Sequence, residues 1–147
     1  MTVHLVKLCV GVDTVQDLRD WQAERLRSLA RAGKTPELCH RTMQAPRRRA
    51  EVLDGGSLYW VIKGYVTVRQ RLIDIRPFVD KEGVSRCRLV YDKALVTTRP
   101  HPRRAFQGWR YLEAADAPPD TGSREDAADD MPPGMREELR ELRLIDW

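Results

Sequence analysis

The chain has 147 residues, of which 41% are hydrophobic and 33% are charged. This length fits one folded domain with a sizeable buried core, and the composition excludes a disordered or fibrous protein. Because the apolar stretches are too short to span a bilayer and the N-terminus has no export signal, we expect a cytoplasmic protein without a membrane partner.

Charge is unevenly distributed along the chain. The net charge is +4, from 26 Lys and Arg residues against 22 Asp and Glu residues. Residues 114–147 hold four of the basic and ten of the acidic residues, so they carry −6 and residues 1–113 carry +10. So strong a positive charge on residues 1–113, here called the body, favours a polyanionic partner. Alternatively, residues 114–147, the acidic tail, fold back onto the positive surface of the body.

The chain opens with a predicted strand and a predicted long helix. The segment VHLVKLCVGV is apolar and β-branched, as in a buried strand, and Gly11 ends it. Asp13 or Thr14 can cap the following helix, and Gly33 can terminate it. The predicted apolar face of this helix comprises Val15, Leu18, Trp21, Leu26 and Leu29.

The middle of the chain is predicted to be mostly strand. A short strand at 38–44 and one or two helical turns in PRRRAEVLDGG precede the strand SLYWVIKG. YVTVRQRLIDIR continues as a long strand, in which the polar run Arg69, Gln70 and Arg71 predicts a bulge or sharp coil. After the turn signal in VDKEGV, the stretch SRCRLVYD alternates, with Cys87 facing inward.

These elements predict an α+β domain. Because strands dominate the middle, we expect a small curved antiparallel sheet or an open pseudo-barrel, with a long N-terminal helix and short peripheral helices. The basic domain is predicted to span residues 1–113. An acidic linker rich in Pro, Ala and Asp follows at 114–134, and an amphipathic C-terminal helix at 135–147.

The sequence gives no sign of a metal or cofactor site. It contains no nucleophile elbow, Walker loop, HExxH motif or dinucleotide-binding glycine motif, so we expect no cofactor. Three cysteines are an odd number, which argues against a disulfide framework, and their spacing offers no paired zinc ligands. We therefore expect free, buried thiols and no metal.

Arginine clusters beside aromatic residues are the strongest functional signal. Arginine pairs with phosphate through a planar fork and also stacks on bases. Arg69 and Arg71 lie two apart on a predicted strand, so they share one face. In RPHPRRAFQGWRYL, at 99–112, two prolines favour an extended loop that displays Arg103 and Arg104.

The aromatic residues of this segment allow two interpretations. Phe106 and Trp109 can close the core, as large aromatic residues commonly do. Beside an arginine loop they can instead offer stacking surfaces, an arrangement used to bind single-stranded nucleic acid. The sequence leaves both readings open.

Three motifs carry a resemblance to a known family. LVKLCVGVD near the start, LDGGSLYWVIKG in the middle and PRRAFQGWRYL toward the end resemble a family of short bacterial proteins, found chiefly in alphaproteobacteria, that is catalogued as a domain of unknown function. The resemblance covers nearly the whole body. It implies no activity.

A more distant similarity is to the PUA-like superfamily, including its ASCH and EVE branches. It rests on DGGSLYWVIKGYVTVRQRLIDI, where a small helix leads through a glycine turn into a strand pair. The resemblance implies a small pseudo-barrel that binds RNA or modified bases. Some ASCH-type proteins are amidohydrolases that use a lysine, a threonine and a glutamate; Lys63 and Thr67 lie in this stretch, but no matching triad aligns.

The leading hypothesis is a nucleic-acid-binding module, with RNA or a modified base favoured over duplex DNA. Arginines would contact phosphates, and an aromatic ring would stack on a base. The predicted binding residues are Arg69, Arg71, Arg103, Arg104, Trp109, Tyr59 and Lys63.

Two alternatives come from other functional classes. One is an ASCH-type enzyme acting on a nucleotide-like small molecule in a deep pocket, with Lys63 or His101 in proton transfer. The other is a protein-interaction module whose final helix docks into a partner. A further hypothesis is that the acidic tail masks the basic surface.

Overall fold

The computed structural model describes residues 1–121. The predicted C-terminal helix at 135–147 and most of the predicted linker lie outside these residues. In chain order the elements are β1 (Val3–Leu8), α1 (Val15–Arg31), β2 (Leu38–Thr42), α2 (Arg49–Leu53), β3 (Ser57–Ile62), β4 (Tyr65–Val79), β5 (Ser85–Tyr91), β6 (Val96–Pro102) and β7 (Trp109–Glu113). A single 3-10 turn at Ala114–Asp116 follows β7.

The strands form one open sheet in the order β2-β5-β4-β3-β1-β7, and β6 also pairs with β4. Strands β1 and β3 run parallel, whereas the other pairings found within residues 1–121 are antiparallel. The predicted mixture of helices with a mostly antiparallel sheet is confirmed at this level. The sheet is open and does not curl into the predicted pseudo-barrel, and the long helix follows β1. Neither helix in this part of the chain is long and apolar enough to cross a membrane.

Strand β4 organises the sheet because it is long enough to pair with three neighbours. Its first half lies between β3 and β6. Its second half pairs with β5, which lies on the same side of β4 as β6. The polar run at 69–71 pairs regularly with β3, and irregular positions flank it at Thr67 and Ile73. The bulge predicted within the run is displaced to either side, because Gln70 is anchored in the core.

One face of the sheet, here called the core face, packs against both helices. The largest cluster of buried side chains there includes Leu5, Leu58, Leu72, Cys87, Leu89, Leu18 of α1 and Val52 of α2. Cys87 points inward as predicted. Trp21 was predicted on the apolar face of α1 but is 54% exposed, because Gln22, only 3% exposed, takes the inward position beside it.

A polar network crosses this core. Gln22 and Gln70 exchange two hydrogen bonds of 2.8 Å, one from each side-chain amide to the other's oxygen. Trp60 Nε1 donates to Gln70 Oε1 at 2.8 Å, and Gln70 Nε2 donates to the Asp92 carbonyl at 2.9 Å. All four hydrogen-bonding positions of the Gln70 amide are thereby used. The network ties α1 to β3 and β4.

Candidate nucleic-acid interface

The face of the sheet that points away from the helices, here called the outer face, carries a row of arginines on three adjacent strands. Arg41 of β2 lies opposite Arg88 of β5, and Arg88 lies opposite Arg76 of β4. Phe78, two residues beyond Arg76, shares this face and pairs in register with Arg86. We name Arg41, Arg76, Arg86, Arg88 and Phe78 the arginine face.

Strand alternation explains why these side chains point outward. The core takes Cys87 and Leu89 of β5, so Arg86 and Arg88 turn to the opposite side of the strand. In β4 the same alternation buries Ile75 and directs its neighbour outward. The arginines are therefore placed by the apolar residues between them.

Two members of the arginine face have acidic partners. Arg76 Nε lies 2.9 Å from a carboxylate oxygen of Asp74, and its Nη1 lies 2.7 Å from one of Glu37. Arg86 forms an ion pair with Asp80 at the start of the β4–β5 turn. The charge of these two arginines is largely compensated by neighbouring carboxylates.

Arg41 and Arg88 lack such compensation. Neither forms an ion pair with another residue between positions 1 and 121, and both are exposed. Each guanidinium carbon instead lies near the centroid of the Phe78 ring, at 5.3 Å for Arg41 and 4.3 Å for Arg88. Like charges directly opposite each other across a strand pair repel. The pair therefore favours an anion bound close by.

An open depression of about 790 Å³ lies on the arginine face beside the β4–β5 turn. Its lining includes Arg41, Arg88 and Phe78, together with Lys81 of the turn. Apolar side chains are also exposed around it, since Val79 is 64% exposed. Two carboxylates of the turn also line the depression, so cationic, acidic, aromatic and apolar groups meet on one accessible surface.

Arg69 lies in the middle of the outer face and is already paired. Its Nε and Nη2 donate to the two carboxylate oxygens of Asp120 at 2.8 and 2.7 Å, and its Nη1 donates to Ser57 Oγ at 2.9 Å. These hydrogen bonds raise the pKa of Arg69 and lower the pKa of Asp120. Arg71, the next residue on this face, is exposed and forms no ion pair within residues 1–121.

Tyr59 lies close to this ion pair and is buried, with 4% of its surface exposed. Its ring meets the His4 ring edge-on, with centroids 5.1 Å apart, and the Ser57 N–H donates to His4 Nδ1 at 3.0 Å. Burial, and then the charge of Arg69, lower the pKa of His4. Burial raises the pKa of Tyr59. The Tyr59 ring offers no free face for base stacking in this structure.

Arg103 and Arg104 follow β6 at the far end of β4. The Arg103 N–H donates to the Gly64 carbonyl at 2.9 Å, and its guanidinium carbon lies 5.3 Å from the centroid of the Phe106 ring. Phe106 packs against a second, smaller core on the outer face. At ~3.3 Å per residue along β4, this loop lies roughly 35 Å from Arg76. It is a separate basic surface.

Trp109 is half-buried and packs against the main core. Its Nε1 donates to the Gln44 carbonyl at 2.7 Å, and its ring meets Tyr111 edge-on at 4.9 Å. The Arg48 N–H in turn donates to Tyr111 Oη at 3.1 Å. These contacts link β7 to the segment after β2, which places Trp109 where it closes the core.

Lys63 and His101, proposed for proton transfer, do not line the depression. Lys63 sits in the two-residue turn between β3 and β4, where its φ of 53° and that of Gly64, 85°, fit a type I′ hairpin. Its Nζ lies 2.9 Å from Asp13 Oδ1. Thr67 Oγ1 is buried and has no hydrogen-bond partner within residues 1–121.

The structure does not gather the predicted site residues at one place. Arg69 and Tyr59 share the middle of the outer face, whereas Lys63 and Arg103 lie near one end of β4. The arginine face at the other end was missed. The alternation in SRCRLVY indicates outward arginines, but no local signal shows that β2 brings Arg41 opposite them.

Within residues 1–121, no group of three or more His, Cys, Asp or Glu side chains is arranged to hold a metal ion.

Comparison with known proteins identifies a family. No curated protein and no solved structure matches the chain. The family model described as protein of unknown function (DUF1489) matches residues 5–145, and this confirms the resemblance to a family of unknown function. The chain therefore belongs to the DUF1489 family.

Proposed function

We propose that this protein binds nucleic acid through the arginine face, with single-stranded RNA favoured over duplex DNA. The pair Arg41 and Arg88 carries the proposal. These two arginines are adjacent across the strands, exposed, without an acidic partner in residues 1–121, and placed over the same Phe78 ring.

The chemistry of these groups supports a single-stranded ligand. A guanidinium binds phosphate oxygens through its planar fork, and its flat face can stack on an unpaired base. An open sheet surface with arginines around an aromatic ring suits a flexible strand whose bases are accessible. The charge of +10 on residues 1–113 adds long-range attraction to a polyanion.

Other basic residues would extend this surface. Arg71 lies on the same outer face, between the arginine face and Arg69. Arg103 and Arg104 would contact phosphates only of a strand long enough to cross the sheet. RNA binding would also agree with the resemblance to the PUA-like superfamily. That resemblance remains part of this proposal.

The test is a titration of fluorescently labelled single-stranded RNA, hairpin RNA and duplex DNA at low and physiological salt. We expect the Arg41→Ala/Arg88→Ala variant to lose at least tenfold in affinity for single-stranded RNA. If both arginines contact phosphates, the slope of log affinity against log salt should fall in magnitude by about 1.4, since each contact contributes ~0.7 for single strands.

A control variant separates a local contact from a change in total charge. Arg19→Ala/Arg25→Ala removes the same charge from exposed positions of α1, on the other side of the sheet, and should keep affinity within about twofold. Equal losses in both variants, or no binding to any of the three ligands, would refute the proposal. A loss confined to Arg103→Ala/Arg104→Ala would move the interface to the other end of β4.

A further inference from the structure

The chain that leads out of the described structure pairs with the edge of β6, and one of its side chains reaches the outer face. The Arg99 N–H donates to the Pro119 carbonyl at 2.9 Å, and the Thr121 N–H donates to the Thr97 carbonyl at 3.1 Å. Between them, the carboxylate of Asp120 holds Arg69 through two hydrogen bonds. An acidic residue of the C-terminal part of the chain therefore already neutralises an arginine of this face.

The direction of this segment points toward the arginine face. Residues 119–121 run antiparallel to β6, and β6 runs antiparallel to β4. The segment therefore runs parallel to β4, from the level of Arg69 toward Arg76. At ~3.3 Å per residue, Arg69 and Arg76 are roughly 23 Å apart along the strand, a distance that the next 26 residues span easily.

Charge complementarity also supports a position of residues 122–147 beside the arginine face. Residues 122–147 contain eight Asp and Glu residues and four arginines. On the outer face, Arg41, Arg71 and Arg88 form no ion pair within residues 1–121. Carboxylates brought beside Arg41 and Arg88 would relieve the repulsion between these two like charges.

We propose that the C-terminal segment 122–147 docks on the arginine face of its own chain, with its carboxylates against Arg41 and Arg88. The docking itself needs no nucleic acid. Its regulatory consequence, that the segment competes with RNA for this face, rests on the proposed function.

Zero-length carbodiimide crosslinking of the full chain tests the docking. The reagent joins amines to carboxylates, so Arg88→Lys keeps the charge of the arginine face and introduces a reactive amine there. Arg25→Lys, on the exposed side of α1, is the matched control. Peptide mapping of the monomeric product should show links from position 88 to an acidic residue of 122–147 at least fivefold more often than from position 25. High salt should reduce these links.

Links that are equally frequent at positions 25 and 88, or that occur only between two chains, would overturn the docking. A second full-chain variant, Glu137→Gln/Glu138→Gln/Glu141→Gln, should lower the yield of links from position 88 to the five carboxylates that remain in 122–147. If that yield does not change, docking through these carboxylates is refuted. If single-stranded RNA also lowers the yield of these links, both proposals are supported. If the protein binds no RNA and the links form regardless of added RNA, the docking is supported and only the proposed function is refuted.

Discussion

The side-chain amides of Gln22 on α1 and Gln70 on β4 form two reciprocal hydrogen bonds of 2.8 Å inside the core. Gln70 also accepts the indole N–H of Trp60 and donates to the Asp92 carbonyl. Both glutamines are almost fully buried, so water cannot replace a lost partner. The helix is thus held to the sheet by polar groups whose loss leaves others unsatisfied.

We expect Gln70→Leu to destabilise the fold by about 3 kcal/mol, because the amide of Gln22 and the indole N–H of Trp60 each lose a buried partner. Thermal unfolding followed by circular dichroism measures this as a fall in Tm of roughly 10 °C. Gln22→Leu/Gln70→Leu should recover part of the loss, since both amides are then absent. A double variant as unstable as the sum of the single variants would contradict this account.

Gly56→Ala should be among the most damaging single changes. A Cβ at Gly56 would overlap the carbonyl oxygens of Val52 and Val3, and these belong to backbone that cannot rotate away. We expect a loss of at least about 3 kcal/mol, measured by chemical denaturation. Gly11→Ala is the control, because no atom lies within 4 Å of the added Cβ and only the strain of its positive φ, about 1 kcal/mol, applies.

Breaking the ion pair of Asp120 with Arg69 should loosen residues 117–121 without unfolding the sheet. Asp120→Ala leaves a partly buried guanidinium with Ser57 as its remaining partner, and we expect a cost of about 1 kcal/mol. Hydrogen exchange should increase at the Thr121 amide, which bonds to the Thr97 carbonyl. Asp116→Ala, which removes an equal charge from the 3-10 turn, should leave that amide protected.

Stability should decline as pH falls from 6.5 toward 4, before most carboxylates titrate. Burial, together with the charge of Lys7, lowers the pKa of His40 from its ordinary 6.5 to about 4. The unfolded chain then binds a proton in this range that the folded chain does not, so stability is complete above pH 6.5 and is lost on acidification.

The His40→Phe variant checks this assignment, since it keeps a ring where His40 meets Trp60 edge-on at 6.0 Å. The fall in Tm between pH 7 and pH 5 should be smaller in the variant than in the wild type. His4, whose pKa is also lowered, should retain the rest of the effect. An unchanged fall would assign the pH dependence to other groups.

The sequence by itself indicated most of the strands and, where apolar and polar residues alternate, which side of the strand faces the core. It did not indicate β6 and β7, because two prolines in the segment 99–112 predicted an extended loop where the structure has parts of these two strands. Apolar residues spaced two apart, such as Cys87 and Leu89, must be buried on one face, and this directs Arg86 and Arg88 to the other face. The capping Thr14 and the terminating Gly33 were also readable, because these signals act over a few neighbouring residues. Local patterns therefore predicted the mixed helix and strand class.

Only the tertiary structure decided which of these residues meet. Arg41 lies opposite Arg88 because β2 pairs with β5 across a long stretch of intervening chain, and Asp120 reaches Arg69 from 51 residues away. Tyr59 was predicted as a stacking ring, yet the second core on the outer face buries it. Strand order and register depend on the packing of the whole domain, and the composition of one strand does not specify its neighbour. For that reason the sequence indicated an arginine-rich surface, and the fold decided which arginines form it.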